Sequence, residues 1–149
     1  MTRFRLAVLP GDGIGPEVAG EAVKVLKSIE TAAGHQFELT EDVVGGAAID
    51  AYGVALRPET VALAKRSDAV LFGAVGGPKW DDPKATVRPE QAILGLRAAL
   101  GTFANLRPAR MQPALVHLSP LKPEIVQACF GFIHQIKKRQ YPLNYLFEE

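Results

Sequence analysis

LPGDGIGPEV, residues 9–18, joins two different periodicities. Before and into it, Leu6 to Leu9 read LAVL. A short apolar run bounded by Pro10-Gly11 fits a strand buried on both faces. After it, Val18, Ala22, Leu26, Ile29 and Ala33 recur at helical spacing. Gly34 then stands where a left-handed residue ends a helix. Pro16 suits a first helical position, and Glu17 suits the positive end of the helix dipole. The stretch therefore reads as a strand-to-helix turn holding Gly11, Gly13 and Gly15. A dinucleotide fingerprint G-x-G-x-x-G needs glycine at position 16, where this chain has Pro16. The ordinary Rossmann reading fails on that spacing. Taken alone, the glycines mark a tight turn that needs positive φ.

Working outward, Phe37 to Val44 reads as a second strand. GGAAIDAYG at 45–53 reads as a loop or short turn-rich segment. Pro58 to Arg66 is a helix with proline at its start, and AVLFGAV at 69–75 is another buried strand. Residues 76–89 form a loop rich in Gly, Pro and charge. Pro89 opens a helix to about Leu100, with Gly101 after it, and Phe103 to Leu106 is extended. The chain is then punctuated by proline up to Pro123. Ile125, Cys129, Phe132, Ile133 and Ile136 recur at helical spacing, which predicts a helix from Pro123 to about Lys138. Alternation of strand and helix predicts an α/β fold with a parallel-rich sheet flanked by helices.

The 149 residues suit one domain rather than two complete ones. Apolar residues make up 48% and charged residues 22%, ordinary for a soluble globular chain. A formal net charge of +1 gives no global field for nucleic acid or an anionic membrane. Cys129 is the only cysteine, so neither an intramolecular disulfide nor a cysteine-rich metal site can form. No secretory signal or membrane-spanning run is read, and the cytoplasm is the default location.

The motifs, in order, carry a resemblance. LPGDGIGPEV is similar to the opening of the β-decarboxylating dehydrogenases, which include isopropylmalate, isocitrate, homoisocitrate and tartrate dehydrogenases. GGAAIDAYG at 45–53, GAVGGPKWD at 73–81, RPE at 88–90 and FANLRPAR at 103–110 resemble the isopropylmalate branch. The resemblance covers about residues 4–127. It implies an isopropylmalate dehydrogenase-like fold that is not Rossmann. Residues 1–102 would be the first portion of a cofactor-side domain and 103–127 the entry into a second. Residues 128–149 would be a divergent tail.

The resemblance also implies chemistry: NAD-dependent oxidative decarboxylation of 3-isopropylmalate, with Mg²⁺ or Mn²⁺, in leucine biosynthesis. Related tartrate or homoisocitrate dehydrogenases, and a non-catalytic remnant or binding module, are the alternatives. Gly77, Pro78, Lys79, Trp80, Asp81 and Glu90 correspond to the family's first NAD-contact segment. Trp80 by itself reads as a packing anchor instead, and Asp81 and Asp82 as solvated. On the helix after Pro89, Glu90, Ile93, Leu94 and Arg97 share one stripe, with Ala92, Leu96 and Ala99 roughly opposite. By itself that first stripe is an exposed mixed face with Leu94 partly buried. In the family, Ile93 and Leu94 would contact the isopropyl group and Arg97 would hold a carboxylate. Arg107 would be a second clamp, and Asn105 shares its side of an extended segment. Outside that context Arg107 is a surface arginine before a proline. His35 and His117 read as surface or packing residues.

After SPLKPEIVQ the match fades. The catalytic tyrosine and lysine and the metal-binding aspartates of the family have no counterpart in this sequence. The expectation is an incomplete enzyme, inactive by itself, with an uncovered sheet edge. The complete family member is a homodimer.

Overall fold

The computed structural model describes residues 2–107 and 133–136. The chain divides into two units, Met1–Gly101 and Thr102–Glu149.

In the first unit, β1 (Arg3–Gly11) is the centre of a parallel sheet. Its neighbours are β2 (Gln36–Glu41) and β3 (Ala69–Ala74), in the order β2-β1-β3. Leu6 lies in register between Leu39 and Ala69. Successive strand residues face opposite ways, and Leu6, Ala7, Val8 and Leu9 are all buried. Both faces of β1 are therefore covered, as LAVL predicts. AVLFGAV was expected to be equally buried, and it is not. Val70, Leu71 and Phe72 are half-buried, because β3 has a strand neighbour on one side only among the described residues.

Helix α1 (Gly15–Ala33) starts at the glycine turn and ends at Gly34, which is left-handed at φ 67°. Its inward row is Gly15 and Ala19, followed by half-buried Ala22, Val23 and Leu26. Val18 and Ile29, which share the helical spacing of Ala22 and Leu26, are 51% and 40% exposed. The cause is close approach. A Cβ on Gly15 would lie 2.1 Å from the Pro10 carbonyl oxygen and 2.9 Å from the Ala74 nitrogen. Only small residues fit where this helix crosses the strands.

GGAAIDAYG is not a loop. Gly46–Tyr52 forms helix α2, for a reason that lies outside the segment and is given below. Helix α3 (Pro58–Arg66) has the bounds the sequence predicts. Helix α4 (Gln91–Leu100) begins just after Pro89-Glu90, which form the preceding turn. Leu9, Val44, Ala55, Ala64, Ala92 and Leu96 form one buried cluster linking β1 to α3 and α4. Burying Leu9 and Leu96 stabilises the fold by roughly 1.5–3 kcal/mol each.

A polar tie backs this cluster. Asp42, just past β2, accepts hydrogen bonds from the Thr60 hydroxyl at 2.7 Å and the Val43 N–H at 2.8 Å. It also pairs with Arg57. Burial pushes the Asp42 carboxyl up, but the bonds from Thr60, Val43 and Arg57 and the Arg57 charge together hold it below its ordinary value. Thr60 is fully buried, so its hydroxyl needs such a partner.

In the second unit, β4 (Ala104–Arg107) pairs antiparallel with β5 (Ile133–Ile136). Asn105 stands opposite Gln135 and Arg107 opposite Ile133. The helix expected from Pro123 to about Lys138 is corrected at 133–136. There, pairing with β4 satisfies the backbone in place of helical bonds. The remainder of that expected helix, with Cys129 and His117, lies outside the described residues. Among the described residues, no helix is long and apolar enough to cross a membrane.

Candidate functional site

With the order β2-β1-β3, the chain's crossovers leave β1 in opposite directions. Such a switch point opens a crevice at the carboxyl ends of the strands, where open α/β sheets bind ligands. Between β1 and β3, two segments leave those ends: the turn at 11–14 after β1, and Val75-Gly76-Gly77 after β3. They are tied together. The Asp12 N–H donates to the Ala74 carbonyl at 2.6 Å.

The Asp12 side chain does more. It is 4% exposed. Its Oδ2 accepts the Gly46 N–H at 2.6 Å and the Gly76 N–H at 3.0 Å, and its Oδ1 accepts the Ala47 N–H at 2.8 Å. Hydrogen bonds to a charged group contribute roughly 1.5–3 kcal/mol each. Asp12 thus caps α2 from 34 residues away, which is why GGAAIDAYG carries no local capping signal and still forms a helix. The sequence reading treated Asp12 only as part of a turn.

Gly46 in turn seats Trp80. A Cβ at position 46 would come within 2.4 Å of the indole ring. The indole Nε1–H donates to Asp50 Oδ1 at 3.2 Å, and Lys79 Nζ reaches Asp50 Oδ2 at 2.6 Å. Those hydrogen bonds, Lys79 first and Trp80 second, hold the Asp50 carboxyl below its ordinary value. Trp80 is both the packing anchor the sequence suggested and a wall of a cavity.

That cavity, about 390 Å³, is walled by Val75–Pro78, Trp80–Asp81 and Arg88–Glu90. Its size lies in the range of small-molecule sites, roughly 300–1,000 Å³. Of the residues singled out for cofactor contact, Gly77, Pro78, Trp80, Asp81 and Glu90 meet around it. Lys79 does not line it and is engaged by Asp50. Val75, Gly76, Arg88 and Pro89 were not singled out. All four lie in the quoted strings GAVGGPKWD and RPE, but only the sheet order shows that the crevice lies there.

On α4, Ala92 and Leu96 are buried and Ala99 half-buried, as the core stripe predicts. The other stripe faces outward. Ile93 is half-buried, Glu90 and Arg97 are exposed, and Leu94 is 62% exposed rather than partly buried. Glu90 belongs to this stripe and to the cavity wall at once. Arg107 lies on β4 of the second unit. His35 packs edge-on against Phe4, with ring centroids 5.7 Å apart. Asp82 accepts the Lys84 N–H at 2.8 Å on the surface. Among the described residues, no three His, Cys, Asp or Glu side chains come together to hold a metal ion.

Comparison with known proteins gives one consistent pattern. The family model described as isocitrate/isopropylmalate dehydrogenase matches residues 5–134, a little beyond the stretch that the motifs cover. A 3-isopropylmalate dehydrogenase from Anaeromyxobacter dehalogenans is 60% identical over 120 residues, covering 80% of this chain and 34% of that protein. One from Moorella thermoacetica is 60% identical over 124 residues, covering 83% of this chain and 35% of that protein. The chain therefore spans about a third of the length of these relatives. Among solved structures, a β-decarboxylating dehydrogenase from Thermococcus kodakarensis in apo form aligns with a TM-score of 0.51 and 43% identity, over 69% of this chain and 28% of that one. An isocitrate dehydrogenase from Methylococcus capsulatus aligns with a TM-score of 0.55 and 29% identity, over 71% and 28% respectively.

Proposed function

The chain belongs to the isocitrate/isopropylmalate dehydrogenase family, and from that premise we propose that it forms the cofactor-side part of an NAD-dependent 3-isopropylmalate dehydrogenase. The reaction is oxidative decarboxylation to 4-methyl-2-oxopentanoate, a step of leucine biosynthesis. The observation that carries this reading is the place of Glu90. It joins the cavity at 75–90 to the outward stripe of α4, so one continuous surface serves cofactor and substrate.

The cavity takes the nicotinamide end of NAD, which accepts a hydride when bound. Gly76 and Gly77 let backbone approach the cofactor, Trp80 and Pro78 supply apolar walls, and Glu90 sits at the junction with the substrate. Ile93 and Leu94 meet the isopropyl group. Arg97 holds a carboxylate through its planar fork, and Arg107 of the second unit carries the same chemistry. An alkyl-facing pair favours 3-isopropylmalate over tartrate or homoisocitrate. Mg²⁺ or Mn²⁺ has no ligand set among the described residues, and no role toward a cation is assigned to them.

The test is a chimera. Residues 5–124 of this chain replace the matching segment of the Anaeromyxobacter relative, and NADH formation is followed with 3-isopropylmalate, smaller 3-alkylmalates, tartrate and homoisocitrate. The chimera should prefer 3-isopropylmalate. Leu94→Ala should flatten preference within the alkyl series by roughly 1–3 kcal/mol per methylene lost. Arg97→Ala should lower kcat/KM for every member, by about 10–100-fold for one charge-assisted contact. Arg97→Lys should recover part of that, since an ammonium lacks the fork. A chimera that prefers tartrate or homoisocitrate, or an exchange of the Leu94 and Arg97 effects, would overturn the reading.

A further inference from the structure

We infer that Asp12 is the positioning residue of the cavity, its single carboxylate fixing the Gly76 wall relative to the Trp80 wall. The Gly76 side is direct: Oδ2 accepts the Gly76 N–H at 3.0 Å. The Trp80 side is reached through one backbone unit. The same Oδ2 accepts the Gly46 N–H at 2.6 Å, and the indole ring rests on Gly46 so closely that no Cβ fits between them. The second oxygen, bound to the Ala47 N–H at 2.8 Å, stops the carboxylate from rotating. Its backbone is pinned as well, by the bond from its N–H to Ala74 at 2.6 Å.

These links are short, and Asp12 itself lies outside the cavity lining while Gly76 and Trp80 belong to it. Asp12 touches neither cofactor nor substrate space. It acts through Gly76, Gly46 and Trp80, which makes it a positioning residue and not a catalytic one. Two oxygens accepting three N–H groups also define what can replace it. An amide of the same shape keeps one oxygen and turns an NH₂ donor toward an N–H. It must release either the Ala47 bond or both the Gly46 and Gly76 bonds. The consequence for cofactor affinity rests on the function proposed above, whereas the effect on Trp80 does not.

Trp80 is the only tryptophan of the chain, so its emission reports the wall directly. Acrylamide quenching is measured without cofactor for the full chain, Asp12→Asn and Asp42→Asn. Asp42 is the control, since its bonds run to Thr60, Val43 and Arg57 and not to the cavity. Asp12→Asn should raise Trp80 quenching, and Asp42→Asn should leave it unchanged. NAD titration, read by the same emission, should give a Kd about ten-fold weaker for Asp12→Asn and unaltered for Asp42→Asn. Equal quenching in Asp12→Asn and the parent chain would overturn the assignment, as would an equal rise in Asp42→Asn. Failure of the parent chain to bind NAD would count against the proposed function, and the quenching comparison would still judge Asp12. If Asp12→Asn does not fold, amide exchange in the parent chain decides. Gly46, Ala47 and Gly76 should exchange more slowly than Glu59, on the first turn of α3 where no side chain caps the helix. Exchange as fast as Glu59 would refute the assignment.

Discussion

The cavity walls at 75–90 and the outward row of α4 adjoin each other at Glu90, yet they are built in opposite ways. Around the cavity, long-range bonds fix both backbone and side chains: Asp12 accepts the Gly46 and Gly76 N–H groups, and Asp50 holds the Trp80 indole and the Lys79 ammonium. On α4, by contrast, Leu94 is 62% exposed, and the helix is held by Ala92 and Leu96 on its other side. One region is preorganised by partners it already has. The other keeps apolar surface in reserve. Covering a leucine gains roughly 1.5–3 kcal/mol, and at Leu94 most of that gain is left for whatever binds. The fixed region suits a ligand of constant shape, and the uncovered row leaves apolar surface free for one that varies.

The sharpest way to break this contrast is to disturb the fixed side. Gly46→Ala places a methyl within 2.4 Å of the Trp80 ring. Moving a packed ring typically costs 1–3 kcal/mol, and urea unfolding should show a loss of about 2 kcal/mol together with a red-shifted Trp80 emission. Unchanged stability and emission would mean that the wall is not packed as described.

A smaller effect is expected at the tie that supports α3, on which α4 packs. Asp42→Asn should cost about 1–2 kcal/mol at neutral pH, one partly exposed charged contact. The folded carboxyl titrates below its ordinary value, so the folded state binds fewer protons than the unfolded one just below about pH 4. Its contribution is therefore complete above that pH and is lost as the pH falls through the depressed value. Stability followed from neutral pH down to about pH 2 should fall less steeply in Asp42→Asn than in the parent chain. Parallel slopes would exclude Asp42 as a source of acid sensitivity.

How much of this could be read from residues alone depends on how far away the cause lies. Helix α3 was legible because Pro58 starts it locally, and the end of α1 because Gly34 stops it. The buried LAVL strand was legible from four consecutive apolar residues. Helix α2 was not, since its cap is Asp12, 34 residues distant. The inward row of α1 is not legible from helical spacing and bulk, because the neighbouring backbones lie too close for large side chains. Where backbones nearly touch, Gly15 and Ala19 go inside and Val18 and Ile29 stay out. At the site, Gly77, Pro78, Trp80, Asp81 and Glu90 were found as part of matched strings. Gly76 and Arg88 stand in the same strings, but that they wall the crevice needs the sheet order, which no local pattern contains.

The smallest expected effect sharpens the contrast from the other side. Leu94→Ala should change unfolding stability by less than about 0.5 kcal/mol, as exposed substitutions do. A loss of several kcal/mol in urea titration would show that Leu94 is already covered and holds nothing in reserve.

Amide chemical-shift mapping of the ¹⁵N-labelled chain during NAD titration tests the proposal that the cavity at 75–90 receives the nicotinamide cofactor. Saturable shifts should appear at Gly76, Gly77, Asp81, Glu90 and the Trp80 indole N–H, with Val18 and Ile29 on the exposed row of α1 unmoved. Saturable shifts confined to other residues, or none at the cavity at saturating NAD, would contradict it.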